Sequence, residues 1–135
     1  MTVLQEEDTF DIIGAAMAVH RHWGPGYLES VYAKSLAIEL RRRGREVRRE
    51  VPFPLSYLGE DLGCVYRADM ICGDVLLELK AHSGICDADE AQIIHYLRCS
   101  GLRRGLLINF GRPSLQHRRF VNGWDNPMDG EGHEE

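Results

Sequence analysis

Three charged side chains near the middle of the chain are spaced so that they could share one site. The segments 66–71 and 75–80 have the composition of β-strands, and the two-residue Gly-Asp turn between them is typical of a hairpin. Counting outward from this turn places Asp69 opposite Glu78, where Cβ atoms lie roughly 5 Å apart. Two carboxylates that close repel each other unless a cation lies between them. Lys80 follows Glu78 by two residues and is therefore expected on the same face.

This arrangement suits metal-assisted hydrolysis of a phosphodiester bond. A hard divalent ion, Mg²⁺ or alternatively Mn²⁺, prefers carboxylate and carbonyl oxygens, which Asp69, Glu78 and the backbone carbonyl of Leu79 can supply. The ion would polarise the phosphate and acidify a bound water. Lys80 would orient that water or stabilise charge that develops on the phosphorane. The alternative is a salt-bridged surface in which Lys80 or Arg67 pairs with one of the acids.

A third acid, Glu29, opens a predicted helix. Gly26, Glu29 and Tyr32 are spaced three apart, so they share one broad side of that helix. In the functional interpretation Glu29 reaches the metal or its water shell. In the alternative, Glu29 complements the dipole of the first helical turn and Tyr32 is a core aromatic.

Gln92 and Tyr96 lie four apart on another predicted helix and therefore share a face. Gln92 would hold a metal-bound water or the substrate backbone, and Tyr96 would hydrogen-bond a phosphate or steer Lys80. The alternative is an ordinary half-buried helix with one polar and one amphipathic residue. His95 is adjacent in sequence but points elsewhere on a helix, and the sequence leaves its participation open.

The basic residues are clustered although the net charge is −5. That net charge argues against tight, non-specific duplex binding through overall charge, but local patches still attract phosphates in a salt-sensitive manner. The alternative is a solvated helix end, where cations complement the helix dipole. The candidate nucleic-acid contacts are Arg41, Arg42, Arg45, Arg67 and Arg104.

The periodicity of the chain predicts two helices, three to four strands, a third helix and two final strands. The candidate core positions of the first two helices are Phe10, Ile13, Ala16, Met17, His20, Val31, Leu36, Ile38 and Leu40. Because Pro52 and Pro54 cannot donate to a sheet ladder, the strand that carries them is expected at an edge or bulge. The predicted helices span about 6–20, 28–43 and 88–99, and the strands about 47–58, 62–71, 75–80, 104–110 and 115–121.

Length and composition indicate one ordinary globular domain. The 135 residues, 44% of them hydrophobic and 27% charged, predict a single domain over 1–123 with an acidic, disordered tail over 124–135. No apolar run approaches the roughly 20 residues that span a bilayer, and the acidic start has no signal-peptide pattern. We therefore expect a cytoplasmic protein without membrane contact, whose four cysteines are reduced thiols.

Taken together, the motifs resemble those of the GxxExxY proteins, which belong to the PD-(D/E)XK nuclease superfamily. The resemblance covers about residues 8–122, with an Ala in place of Pro at position 68 and His95 where an amide is expected. The motifs, in order, are Gly26-x-x-Glu29-x-x-Tyr32, Tyr66-Arg67-Ala68-Asp69, Glu78-Leu79-Lys80, Glu90-Ala91-Gln92, Tyr96-Leu97 and the segment 105–111.

The resemblance implies an α/β fold with a restriction-endonuclease-like core, in which helices flank a mixed β-sheet. It implies metal ligation by Asp69 and Glu78, with Lys80 catalytic. It assigns Glu29 to the acidic helix position, and Gln92 with Tyr96 to the QxxxY motif of the RecB-like branch.

The expected function is a Mg²⁺-dependent nuclease acting on DNA, and a small domain that cuts duplex DNA often works as a homodimer. One alternative is a catalytically weak or inactive module that keeps the nuclease fold for nucleic-acid binding or regulation. A further alternative is an unrelated metal-dependent hydrolase of small phosphate esters. The sequence does not distinguish DNA from RNA or endonuclease from exonuclease action.

Overall fold

The computed structural model describes the backbone of residues 2–122 and the side chains of residues 8–122. The predicted element order is confirmed, with three strands ahead of the third helix, while the predicted tail over 124–135 lies outside the described residues. In chain order the elements are α1 (Thr2–Trp23), α2 (Glu29–Arg42), β1 (Val47–Tyr57), β2 (Glu60–Cys72), β3 (Val75–Lys80), α3 (Asp87–Ser100), β4 (Arg104–Asn109) and β5 (Gln116–Val121).

The five strands form one mixed sheet in the order β1-β2-β3-β4-β5. Three of the four neighbouring pairs are antiparallel, and β3 and β4 are parallel. A parallel pair needs a long crossover, and α3 provides it. Helices cover both faces of the sheet, so the predicted α/β, restriction-endonuclease-like architecture is confirmed.

Each face of the sheet carries its own apolar core. Helices α1 and α2 pack on one face and form the α1/α2 core, which includes Ile12, Ala16, Leu36, Leu40, Met70, Leu77, Leu79, Leu106, Ile108 and Phe110. Helix α3 packs on the other face and forms the α3 core, which consists of Ala68, Ile71, Leu76, Ile93, Leu97, Leu107 and Phe120. The parallel strands β3 and β4 are buried from both sides, as apolar central strands require.

Three of the predicted core positions are wrong. Phe10, Met17 and Ile38 are exposed, at 63%, 41% and 60% of their surface. The buried stripe of α1 runs instead through positions 12, 13, 15, 16 and 19. Phe10 lies outside this stripe, and the guanidinium of Arg119 lies over its ring, 4.9 Å from the centroid, in a cation–π contact.

Strand β1 is an edge strand, as its prolines predicted. It forms a longer hairpin with β2 than the sequence indicated, and a bulge interrupts the register between Pro54 and Ser56. The connecting turn is formed by Leu58 and Gly59, with φ values of 51° and 82°. Two consecutive positive φ angles are those of a type I′ turn.

None of the helices in the described part of the chain is both long and apolar enough to cross a membrane. All four cysteines have free thiols, as expected, and Cys72 is buried while the other three are exposed.

Candidate active site

The hairpin of β2 and β3 has the register that the sequence predicted, with Met70 opposite Leu77 and Cys72 opposite Val75. Beyond Met70 and Leu77 the backbone ladder stops, and two carboxylates take over its hydrogen bonds. The backbone N–H of Asp69 donates to Glu78 Oε2 (3.1 Å). The backbone N–H of Leu79 donates to Asp69 Oδ2 (2.8 Å). Both acids are therefore held at the gap where the two strands separate.

Asp69 lies at an irregularity of β2, where the alternation of side chains between the two faces of the sheet is interrupted. Met70 packs in the α1/α2 core and Ala68 packs in the α3 core, although residues two apart in a strand normally share a face. Opposite Asp69 on β1, Glu50 has a left-handed φ of 54°. The Asp69 carboxylate turns toward β3, where it accepts from the N–H of Leu79.

Burial and mutual repulsion govern the electrostatics of the two acids. Glu78 is 3% exposed, and burial, followed by the negative charge of Asp69, raises its pKa to about 8. Burial also raises the pKa of Asp69, although the N–H of Leu79 partly offsets this. Within residues 8–122, neither carboxylate has a Lys or Arg nitrogen within 4.0 Å. The salt-bridged alternative is therefore not what the described side chains form.

Lys80, Gln92 and Tyr96 form a connected chain of hydrogen bonds. Lys80 Nζ donates to Gln92 Oε1 (2.7 Å), and Gln92 Nε2 donates to the Tyr96 hydroxyl (3.1 Å). Burial, followed by the charge of Glu78, raises the pKa of Tyr96. Glu78 and Lys80 thus both lie on the α3 side of the sheet, and they share a face as expected. The His95 side chain is exposed and makes no hydrogen bond with any described residue.

Glu29 faces the same site from the other side of the sheet. Burial, followed by the charge of Asp69, raises the pKa of Glu29. Both residues line a cavity of about 280 Å³ between the start of α2 and the sheet. Its walls are Glu29, Ser30 and Ala33 on α2, and Arg49, Glu50, Asp69 and Leu79 on β1, β2 and β3.

Tyr32 is the core aromatic of the alternative interpretation, and it also positions Glu29. It is fully buried and stacks on Phe110 with ring centroids 4.6 Å apart. Its hydroxyl donates to the carbonyl of Gly24 (2.5 Å) and accepts from the N–H of Tyr27 (3.2 Å). These two bonds fasten the loop that leads into α2 and so fix where Glu29 begins the helix.

A polar network that the sequence analysis missed fixes the loop after Lys80. The fully buried Asn109 accepts from the N–H of His82 (3.0 Å) and donates to its carbonyl (3.0 Å). Next to it, a Cβ on Gly111 would lie 2.2 Å from the carbonyl oxygen of His82, so glycine is required there. A polar residue ending an apolar strand was the available signal, because buried amides need partners.

The predicted nucleic-acid contacts do not gather around the acids. Arg41 and Arg42 lie in the last turn of α2, roughly 20 Å from Glu29 at 1.5 Å per residue. Arg45 forms ion pairs with two acids of α1, and Arg104 Nη2 lies 2.6 Å from a carboxylate oxygen of Asp74. Arg67 is exposed on β2, two residues before Asp69.

The donor set fits a small, hard cation. Within the described residues, no three side chains of His, Cys, Asp or Glu are grouped so as to enclose a metal ion. Mg²⁺ does not need such a group, since it is commonly held by one or two carboxylates and completes its shell with water and substrate phosphate. The buried Glu78 and the half-buried Asp69, both with raised pKa values and with no ion pair among residues 8–122, satisfy that requirement.

Comparison with known proteins gives one match. A sequence model of the PD-(D/E)XK nuclease superfamily matches residues 6–120, which include the hairpin, the start of α2 and all of α3. No curated protein and no solved structure matches the chain. The finer resemblance to the GxxExxY proteins stays a prediction. Because the match spans most of the 135 residues and the mixed sheet has the corresponding architecture, the chain belongs to the PD-(D/E)XK nuclease superfamily.

Proposed function

We propose that this protein is a divalent-metal-dependent nuclease that hydrolyses phosphodiester bonds in DNA, with Mg²⁺ as the ion and Mn²⁺ as the alternative. The observation that carries the proposal is the pair of the half-buried Asp69 and the buried Glu78, held at the gap between β2 and β3 with no ion-pair partner among residues 8–122. Buried like charges are unfavourable unless a cation or a proton is bound. A divalent ion bound at this position would offset the repulsion between the two carboxylates.

Asp69, Glu78 and the backbone carbonyl of Leu79 would hold the ion, and Glu29 would reach it or its water shell from across the cavity. A divalent ion bound there would polarise the phosphate and lower the pKa of a water molecule. The hydrogen bonds from Leu79 N–H to Asp69 and from Asp69 N–H to Glu78 fix the orientation of both carboxylates before any ion arrives. Such preorganisation is what a metal site requires.

Lys80 would orient the attacking water or stabilise the charge that develops at the phosphate. Its ammonium group is held by Gln92, which is itself bonded to Tyr96. A lysine side chain has many rotamers, so a fixed anchor on α3 restricts where the charge can lie. Gln92 and Tyr96 are therefore assigned to positioning Lys80, with Tyr96 also available to a phosphate oxygen.

The DNA strand being cut would run over the surface that carries Arg67, with Arg41 and Arg42 as more distant phosphate contacts. Arg45 and Arg104 would join them by exchanging an internal carboxylate for a phosphate. Two copies of the domain would allow both strands of a duplex to be cut.

The test is a cleavage assay on supercoiled, linear and branched DNA with Mg²⁺, with Mn²⁺ and with EDTA. We expect cleavage that EDTA abolishes and that Lys80→Ala reduces by at least about 100-fold. Lys34→Ala is the matched control, since Lys34 is exposed on α2 and does not line the cavity that holds Glu29 and Asp69. Equal activity of the two lysine variants would contradict the role of Lys80.

Melting temperatures and a panel of substrates distinguish the competing functions. If Mg²⁺ raises the melting temperature of the wild type but no substrate is cut, the catalytically inactive binding module replaces the nuclease. If mononucleotide esters are hydrolysed and polynucleotides are not, the small-ester hydrolase replaces it. Parallel RNA substrates decide which nucleic acid is used.

A further inference from the structure

Arg49 differs from the other arginines that follow α2. Arg43 and Arg45 form ion pairs with acids of α1 and α2. Within residues 8–122, by contrast, the Arg49 guanidinium makes no hydrogen bond and no ion pair, and its Nε is buried without a partner. A buried charged donor with no acceptor is costly, so this group is in a position to receive an anion.

The cavity wall brings Arg49 next to the candidate metal site. It shares the cavity of about 280 Å³ with Asp69 and Glu29. Its positive charge is one of the factors that partly offset the effect of burial on the pKa of Asp69, although the two side chains are not in an ion pair. Roughly 10–15 Å³ of such space holds one water molecule, so there is room for a phosphate group and for water.

A strained backbone position sets the side on which Arg49 lies. Arg49 pairs with Met70, which belongs to the α1/α2 core, whereas Val51 pairs with Ala68 and packs on the α3 core. The two β1 residues thus lie on opposite faces although they are two apart. The left-handed φ of 54° at Glu50 between them produces this exchange. A non-glycine residue in that region costs energy, and such strain is concentrated at functional sites.

The start of α2 adds donors at the same cavity. Glu29 and Ser30 are its first residues, and the preceding Leu28 provides no side-chain cap. The first N–H groups of the helix are thus without a capping side chain and favour an anion. The carboxylates of Glu29, Glu50 and Asp69 would repel a phosphate from this cavity unless a divalent ion is also bound.

We propose that Arg49 binds the non-bridging oxygens of a substrate phosphate inside this cavity, beside the ion held by Asp69 and Glu78. The planar guanidinium fits two phosphate oxygens at once. This inference rests on the proposed nuclease function and adds the residue that recognises the phosphate. Arg49 belongs to the binding machinery, while its neighbour Arg48 is exposed and serves as the matched control.

The test measures binding separately from turnover. All proteins carry Lys80→Ala to suppress cleavage, and a fluorescently labelled DNA oligonucleotide is titrated in Mg²⁺ at several salt concentrations. Arg49→Gln should lower the affinity by about 10- to 100-fold, and the slope of log affinity against log salt should decrease by about one. Arg48→Gln should change neither quantity. Arg49→Lys should restore the salt slope but only part of the affinity, because it keeps the charge and loses the planar fork.

A metal titration excludes a purely structural role. Arg49→Gln removes a positive charge beside Asp69, so its affinity for Mn²⁺ should be unchanged or higher than that of the Lys80→Ala parent. A loss of Mn²⁺ affinity with unchanged oligonucleotide affinity would show that Arg49 only maintains the structure around the acids, and would overturn the proposal. Equal losses in the Arg48 and Arg49 variants would also overturn it. If Arg49→Gln fails to fold, Arg49→Lys is compared with Arg48→Lys, and an unchanged oligonucleotide affinity in both would overturn the proposal.

The outcome for Arg49 is distinguishable from that for the nuclease function. If Arg49→Gln with Lys80 intact cuts DNA as well as the wild type does, the role of Arg49 is refuted and the nuclease function stands. A wild type that neither binds nor cuts any nucleic acid would refute both.

Discussion

The two ends of helix α2 treat charge in opposite ways. At its C-terminal end, Arg43 and Arg45 bind the two carboxylate oxygens of Asp11 at 2.8 and 2.9 Å. Burial alone would raise the pKa of Asp11, but the hydrogen bonds from these arginines lower it. At its N-terminal end, Glu29 faces Asp69 and Glu78 across the sheet, and all three acids have raised pKa values.

The difference shows which of the two charged clusters has ion-pair partners among the described residues. The arginine-rich end looks like a phosphate-binding surface in the sequence, yet two of its arginines are neutralised by acids of α1 and α2. The acidic end has no ion-pair partner among residues 8–122 and so needs something from outside. Local charge density in the sequence therefore does not show which end has its charges already paired.

The largest effect on activity is expected from a substitution of Glu78. Glu78→Gln should reduce DNA cleavage on the order of 10³-fold, because one of the two carboxylates that would hold the ion is lost. Mg²⁺ should raise the melting temperature of the wild type and leave that of the variant unchanged. Glu39→Gln, at the other end of α2, is the control and should cut at the wild-type rate. A Glu78→Gln protein that still cuts would contradict the site.

A pH titration in EDTA tests whether Glu78 is protonated in the folded protein. The pKa of Glu78 is about 8 in the folded protein against an ordinary value of 4.5. Between these values the folded protein holds a proton that the unfolded chain releases, so the free energy of unfolding should fall as pH rises. The loss between pH 4.5 and 8 should be on the order of 4 kcal/mol. Asp11, with a lowered pKa, loses its stabilising effect only at more acidic pH.

Urea denaturation between pH 4.5 and 8 measures this slope, and the slope of Glu78→Gln should be markedly smaller over the same range. His117, whose pKa burial lowers, contributes equally to both proteins and cancels in the difference. Identical slopes in the two proteins would mean that Glu78 is not the group that titrates.

The anchor of Lys80 offers a smaller perturbation of the acidic end. Gln92→Ala removes the acceptor of the Lys80 ammonium group and should lower kcat about tenfold with little change in KM, equivalent to ~1.4 kcal/mol of barrier. Steady-state kinetics on a short duplex measure both constants. His95→Ala, one turn away on the exposed side of α3, should match the wild type, and an equal loss there would assign His95 a role in place of Gln92.

The smallest effect is expected where charges are already paired. Arg43→Gln breaks the ion pairs with Asp11 and Glu39, whose side chains are about a third exposed. Because solvent screens such pairs, the loss of stability should be roughly 0.5–1 kcal/mol, and 1 M salt should reduce it. Urea denaturation at two salt concentrations checks this value. A loss several times larger would mean that the two ends of α2 differ less than their geometry indicates.

Much of the site followed from local rules. The two-residue turn at Gly73 and Asp74 fixed the hairpin register, since a tight turn leaves little freedom in strand pairing. The four-residue spacing of Gln92 and Tyr96 placed them on one helical face, where the structure joins them by a hydrogen bond. These features depend on neighbours in sequence, which is why the sequence predicted them.

The remaining features depend on contacts that the sequence does not show. Glu50 sits in a strand-forming segment without glycine, so nothing local indicates its left-handed backbone. Arg43 and Arg45 find Asp11 more than 30 residues away, and Asn109 finds His82 27 residues away. Arg49 could not be separated from its neighbours by composition, because its distinction is the absence of an acceptor among the described residues.

The prolines of β1 have a consequence for assembly. Pro52 and Pro54 are two residues apart on the edge strand, so their missing amides fall on one side of that strand. An edge without those donors is a poor template for an incoming strand from another molecule. Copies of this protein are therefore discouraged from zipping together along β1 into a continuous intermolecular sheet, and any pairing of two subunits would have to use another surface.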